Sequence, residues 1–342
     1  MGQDAPIQRG VFQMSKQQTV PMIFNHVRDI SWPSLNQLLT ATVLPIIGIV
    51  IFLGLWSLMA KNIDTSLGTF PGPAAVWQQT IVLVEEHNTQ MDKASKFYDR
   101  QEQRNAARLA KDPNYKSKIR NFTGAPTFFE QIWTSLYTVM VGFIVASLLA
   151  IPLGILCGLS KNAYTAINPL IQLFKPVSPL AWLPLVTMVV SAVYVSSDPM
   201  FSKSFITSAV TVSLCCLWPT LINTAVGVSS IDKDLINVSK VLRLNGLSHV
   251  ITIVLPSSIP AIFTGLRLSL GIGWMVLIAA EMLAQNPGLG KFVWDEFQNG
   301  SSESLARIMV AVLTIGVIGF GLDRLMLALQ RKFSWDKSAV LR

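Results

Sequence analysis

Long apolar runs alternate with polar connections along this chain. The runs are Leu38–Ala60, Gln131–Ser160, Pro176–Ser197, Ser204–Ile231, Ala261–Leu283 and Leu305–Leu329. At about 1.5 Å of rise per residue, helices of this length cross the ~30 Å hydrocarbon layer of a bilayer. The third run is interrupted by Pro179 and Pro184. Such prolines break helices in water but are tolerated in a membrane bundle, where neighbouring helices satisfy the freed backbone groups. The fifth run holds Arg267 and Glu281, and the sixth holds Arg307 and the pair Asp323-Arg324. The pattern predicts an all-α integral membrane protein with about six transmembrane helices.

The polar stretches divide the chain further. Residues 1–37 form a polar N-terminal extension with no apolar h-region, so no signal peptide is expected there. Residues 61–130 read as a loop. It opens with the Gly/Pro-rich piece Gly68–Pro73 and a helix-like stretch at Ala74–Val84, continues through a charged insert at 92–120, and closes on a turn at Asn121–Pro126. Within the insert, Arg100, Arg104 and Arg108 stand at i, i+4 spacing. Helical folding would align them as a basic stripe, either a solvated face or a contact for an external partner. A core domain spans 131–331, with a polar loop at 229–258, and a tail follows at 332–342. Lys233, Lys240 and Arg243 lie between the fourth and fifth runs, and Arg331 and Lys332 lie beyond the sixth. By the positive-inside rule these segments, and with them both termini, face the cytoplasm. The 61–130 segment is then external despite its lysines and arginines, since long loops cross regardless of charge.

Composition sharpens this reading. Hydrophobic residues make up 51% of the chain, charged residues only 13%, and the net charge is +8. Mean hydropathy is +0.47. A soluble domain carries about twice that charged fraction. Cys157, Cys215 and Cys216 all lie in apolar runs, without metal-ligand spacing, and read as small packing residues. No G-x-x-x-x-G-K-[ST] frame occurs, and Gly290-Lys291 runs into Phe292. Without a phosphate-cradling loop the chain needs a partner for any ATP-driven work. His26, His87 and His249 are scattered and no nucleophile triad stands out, which speaks against a membrane enzyme.

The loop at 229–258 carries the most specific pattern. Leu235, Val238 and Leu242, with Leu244 or Leu247 beyond, form an apolar stripe, while Asn237, Lys240 and Arg243 take another face. This is a short amphipathic helix, with Gly246 as the expected stop signal. One reading is an interfacial helix resting on headgroups.

Here the chain resembles the permease subunits of ABC importers. Their cytoplasmic signature runs EAA, three residues, G, nine residues, I, one residue, LP. Counting back from Leu255-Pro256 places the Ile on Ile253, the EAA positions on Asn237, Val238 and Ser239, and the Gly position on Arg243, three residues before Gly246. Spacing and ending match; EAA and G are replaced. Pro71-Gly72-Pro73 with Val76-Trp77, Lys175–Pro184, Trp218–Ala225, Val241–Leu244, Gly265–Arg267 and Ala279–Met282 are similar to the nitrate/sulfonate/bicarbonate branch, and within it to nitrate permeases. The resemblance covers about Leu38–Arg331.

The resemblance implies a type I ABC importer permease fold with a cytoplasmic coupling helix. That helix docks a separate ATPase subunit through Asn237, Val238, Ser239, Lys240, Val241, Leu242, Arg243 and Gly246. It implies ATP and magnesium held by the ATPase partners and no cofactor in this chain, a second permease copy in a homodimer, an external or periplasmic solute-binding protein, membrane lipid around the spans, and no nucleic acid. Location is the bacterial cytoplasmic (inner) membrane. The implied cargo is nitrate, serving nitrate assimilation, with sulfonate or taurine, bicarbonate or cyanate as alternatives and an autonomous ion-coupled carrier as a different class.

A small anion needs donors rather than a deep charge trap along its route. Ser178, Trp182, Thr187 and Ser191 of the third run, with Arg267, are candidates for that path or for packing. Lys175 either reaches headgroups or guides an anion. Arg267 either pairs with a carboxylate across a dimer or favours the anion. Glu281 reads as a structural partner, and Asp323-Arg324 as interfacial anchors.

Overall fold

The computed structural model describes residues 35–65, 68–112, 114–117, 119–195, 200–301 and 303–333. All but residues 35–37 of the expected N-terminal extension, most of the tail and Ser197 lie outside the described residues. The chain divides into two units, residues 1–55 and 56–342. The first contributes most of α1 (Leu35–Ala60), an apolar helix containing Pro45.

The second unit begins with a hairpin of two-residue strands, β1 (Asp64–Thr65) and β2 (Gly68–Thr69), paired antiparallel. The Trp56 indole donates to the Pro71 carbonyl at 3.1 Å and fixes the chain entering α2 (Pro73–Leu109). Sequence pattern made this region a loop with a short helix. The structure makes it one helix of 37 residues, with Pro73 in its first turn, a position where the missing N–H costs nothing. The helix outlasts its apolar part because Lys, Arg, Gln and Ala are good helix formers. Gln101 then holds the returning strand, accepting from the Arg120 N–H at 2.8 Å and donating to the Arg120 carbonyl.

The membrane bundle follows: α3 (Phe128–Leu159), α4 (Lys161–Phe174), α5 (Pro179–Val193), α6 (Lys203–Ser229), α9 (Leu255–Ala284) and α11 (Ser304–Phe333). A capping box starts α3, with Thr127 and Glu130 bonding each other's backbone N–H. Among the described residues, five helical segments are long and apolar enough to cross a membrane, and a sixth crossing arises if α4 and α5 count as one broken span. The third span departs from the expected single helix at 176–197. Its two halves meet at a bend of 100°. Pro176 and Pro179 cannot continue the ladder of α4, and Ser178 caps the new helix by accepting from the Leu180 N–H.

Small residues set the core. Along α3, Gly142, Ala146, Ala150, Gly154 and Gly158 recur every fourth position and face α6. A Cβ on Gly142 would lie 2.7 Å from the Ala209 carbonyl, and one on Gly154 2.6 Å from the Thr224 Cβ. Helix α9 approaches α6 from the other side in the same way, through Gly265, Ser269 and Gly273. Ser269 donates to the Cys216 carbonyl at 2.6 Å and bonds Thr220 at 2.6 Å, and Cys216 donates to the Ser269 carbonyl. In lipid, where apolar tails compete with apolar side chains, close backbone approach and such bonds hold helices together. Cys157 and Cys216 are buried and unpaired, the packing role expected of them.

Candidate functional site

Between α6 and α9 the chain forms α7 (Lys233–Val241), α8 (Gly246–His249) and a π-helical turn at Val250–Val254 that runs into α9. Asp232 caps α7 by accepting from the Asp234 N–H at 3.0 Å. The end of α7 differs from expectation. Leu242 closes it, the Arg243 N–H reaches the Lys240 carbonyl, and the Leu244 N–H reaches the Ser239 carbonyl at 3.1 Å. This is a Schellman closure, whose residue after the cap is left-handed and most often glycine. Here it is Arg243, with φ +50°. The glycine of the importer signature falls on that position, so the backbone keeps a glycine's conformation with an arginine in it. Gly246 ends nothing: it opens α8, where Asn245 is the cap and accepts from the Ser248 N–H at 2.7 Å. Asn245 competes successfully as a helix start because its side chain satisfies an orphan donor.

The predicted docking residues separate into two sets. Asn237, Val238, Lys240, Val241, Leu242, Arg243 and Gly246 are exposed, Val241 at 82% and Leu242 at 62%. Ser239 is buried and hydrogen-bonded to His249 Nδ1 at 2.7 Å, tying α7 to the end of α8. Exposed valine and leucine on a polar loop mark an interaction face.

The expected path residues on α5 are not gathered into one site. Ser178, Thr187 and Ser191 are exposed and Trp182 is half-buried against Phe174, ring centroids 5.6 Å apart. Thr187 donates its proton to the Leu183 carbonyl at 2.8 Å, whereas Ser178 accepts at its oxygen from the Leu180 N–H.

Arg267 pairs within its own chain. Its guanidinium bonds both oxygens of Asp323 on α11, the Nη2–Oδ2 contact at 2.8 Å. A dimer is therefore not needed to supply its carboxylate. Periodicity misses this because the two residues lie 56 positions apart. Two further rungs join the same helices, Gln330 to the Pro260 carbonyl at 3.3 Å and Trp274 to the Ile315 carbonyl at 2.9 Å. The α9 positions 260, 267 and 274 are seven apart, the repeat that keeps one helix face toward an antiparallel neighbour.

At the opposite end of the bundle, α10 (Leu289–Asn299) folds back beside α9. Glu281 is fully buried and accepts from the Ser135 hydroxyl at 2.8 Å and the Gly290 N–H at 3.0 Å, the structural role expected of it. The Leu289 N–H in turn donates to Ser135 at 2.8 Å. One turn out, Arg307 bonds both oxygens of Glu86 on α2, at 2.9 and 2.7 Å, and pairs with Glu296 on α10 at 2.8 Å. Ser304 donates to Glu296 at 3.0 Å. This Glu–Arg–Glu group, lining a cavity of about 510 Å³ with Gln131, Phe128 and Phe292, was not anticipated from sequence. The only signal is a lone arginine at the start of an apolar run.

Residues 150–335 match the family of the "Binding-protein-dependent transport system inner membrane component". The chain is 37% identical over 198 residues to the nitrate import permease protein NrtB of Leptolyngbya laminosa, covering 58% of the chain and 66% of that protein. It is 32% identical over 297 residues to the bicarbonate transport system permease protein CmpB of Synechococcus elongatus, covering 86% of the chain and 91% of that protein. A chain of the MetNI methionine ABC transporter, solved in inward-facing conformations, shares the fold with a TM-score of 0.51 over 60% of this chain and 96% of that one, at 13% identity.

Proposed function

Because the chain belongs to the family of binding-protein-dependent transport system inner membrane components, we propose that it is the permease subunit of an ATP-driven importer carrying a small inorganic anion, nitrate first, into the cytoplasm. The observation that carries the cargo is the likeness to nitrate permeases, 37% over 198 residues, joined to the motifs at Lys175–Pro184 and Trp218–Ala225. Bicarbonate is the second reading, favoured by a bicarbonate permease that aligns along 86% of the chain.

In this reading α7 is the coupling helix. Val238, Val241 and Leu242 seat in a groove of the ATPase subunit, and Lys240 and Arg243 meet its acidic residues. The ATPase holds ATP and magnesium, and its closure moves α7 as a lever on α6 and α9. Ser239 acts from behind, holding α7 to His249. The positive-inside rule orients the α7 end toward the cytoplasm, with both termini, and sets α2 and α10 outside, facing a solute-binding protein. Two copies enclose the route, with Ser178, Trp182, Thr187, Ser191 and Arg267 along it.

The deciding experiment reconstitutes the chain with its ATPase subunits and binding protein in proteoliposomes. ATP hydrolysis and uptake are then scanned over nitrate, nitrite, cyanate, bicarbonate and an alkanesulfonate. Nitrate stimulates both in this reading. Uptake without nucleotide, or hydrolysis indifferent to every anion, overturns it. Arg243→Glu combined with Gly246→Trp uncouples hydrolysis from uptake while leaving insertion intact; normal uptake by that variant refutes docking through α7.

A further inference from the structure

The charged rung between α9 and α11 lies well inside the length of both helices. Arg267 is about 18 Å along α9 from Leu255, and Asp323 is about 15 Å from the end of α11 at Phe333, at 1.5 Å per residue. Both residues therefore stand about three helical turns inside the ends of their helices. Yet the pair is not sealed: the Arg267 and Asp323 side chains are 30% and 39% exposed. Charges left open on an apolar helix face water or protein rather than lipid tails.

The surroundings leave room. Thr264 and Gly271, about one turn to either side of Arg267, are exposed, and neither Gly271 nor Gly321 has any atom within 4 Å of where a Cβ would stand. Asp323 occupies Nε and Nη2 of the guanidinium, while Nη1 has no hydrogen-bond partner among the described residues. A bare arginine on an anion's route, partly shielded from water, attracts it strongly and slows its release. With its carboxylate in place, the rung carries no net charge and still offers one N–H donor.

We propose that Asp323 is a positioning residue that masks Arg267, so that a small oxyanion crossing the membrane meets a donor without being trapped by a full charge. The inference rests on the transport reading above. It adds a residue that sets cargo affinity and release, through the arginine that the anion touches.

The test measures equilibrium binding of labelled nitrate to the purified permease–ATPase complex without binding protein, and uptake by the reconstituted system. Asp323→Asn binds nitrate about tenfold more tightly, some 1.4 kcal/mol, and turns over more slowly. Asp323→Glu restores both toward the wild type. If Asp323 only braces two helices, the Asn variant loses thermal stability with its nitrate affinity unmoved, and masking is refuted. Should that variant fail to fold, the exchanged pair Arg267→Asp with Asp323→Arg keeps the brace but moves the donor to α11. Its uptake falls under the proposal, and wild-type uptake overturns it. The transport reading fails separately, when the wild-type system takes up none of the anions; uptake by the wild type with unchanged affinity in Asp323→Asn sinks the masking role alone.

Discussion

Helix α9 has two working faces built on opposite principles. Toward α6 it presents Gly265, Ser269 and Gly273, and the backbones come so close that a Cβ on Gly273 would stand 2.5 Å from Cys216 Sγ. Toward α11 it presents three spaced polar rungs, at Pro260, Arg267 and Trp274, the middle one charged and partly open. The first face is fixed by volume. Nothing there can slide without collision, because interiors packed to crystal density have few alternatives. The second is fixed by bonds that can be broken and remade one at a time. A permease that must change shape requires both, a rigid pair of helices and a seam able to rearrange. The α6–α9 seam is set by volume and the α9–α11 seam by bonds.

Substitutions separate the two faces by size of effect. Gly273→Leu drives a branched side chain into Cys216 and Val212 and costs about 3 kcal/mol or more. It is expected to abolish monodisperse protein on size-exclusion chromatography in detergent, while Gly271→Leu, two residues away in open space, runs as wild type. Glu281→Ala leaves the Ser135 hydroxyl and the Gly290 N–H buried without their acceptor, at about 1–3 kcal/mol for each such group. Its thermal unfolding temperature falls, and Glu281→Gln, which keeps an acceptor oxygen, recovers much of the loss. Arg307→Met abandons Glu296, nearly buried at 10% side-chain exposure, and frees Glu86. A loss of about 2 kcal/mol follows, less than for a sealed pair because Glu86 is half in water. Hydrogen exchange should rise in the first half of α2. Arg243→Gly is the smallest and has the opposite sign. It relieves about 1 kcal/mol of left-handed strain, so the α7–α8 loop exchanges more slowly while coupled ATP hydrolysis drops. Faster exchange in that loop would show that the arginine's contacts outweigh its backbone strain.

Several elements were legible along the chain because their signals are local. A run of twenty apolar residues has few fates, so the spans appeared within a few residues of their observed ends, as at Gln131–Ser160 against α3 at Phe128–Leu159. The amphipathic helix at 233–241 was legible for the same reason, through its stripe of Leu235, Val238 and Leu242. Its stop was not. Gly246 looked like a terminator because glycine is the commonest residue after a helix, yet the closure formed three residues earlier around Arg243. Helix α2 was read short because hydrophobic periodicity fades past Val84, although propensity alone carries it to Leu109.

The sequence by itself determined that the chain is a mostly helical membrane protein with about six spans, and which loop carries the importer signature. Each of these is written in runs of neighbouring residues. Only the tertiary structure decided that Arg267 answers to Asp323, Arg307 to Glu86 and Glu296, and Glu281 to Ser135. Apart from Glu296, those partners sit 56 to 221 positions apart. Coulomb and hydrogen-bond forces act over a few ångströms in space, and distance along the chain carries no record of which helices will meet.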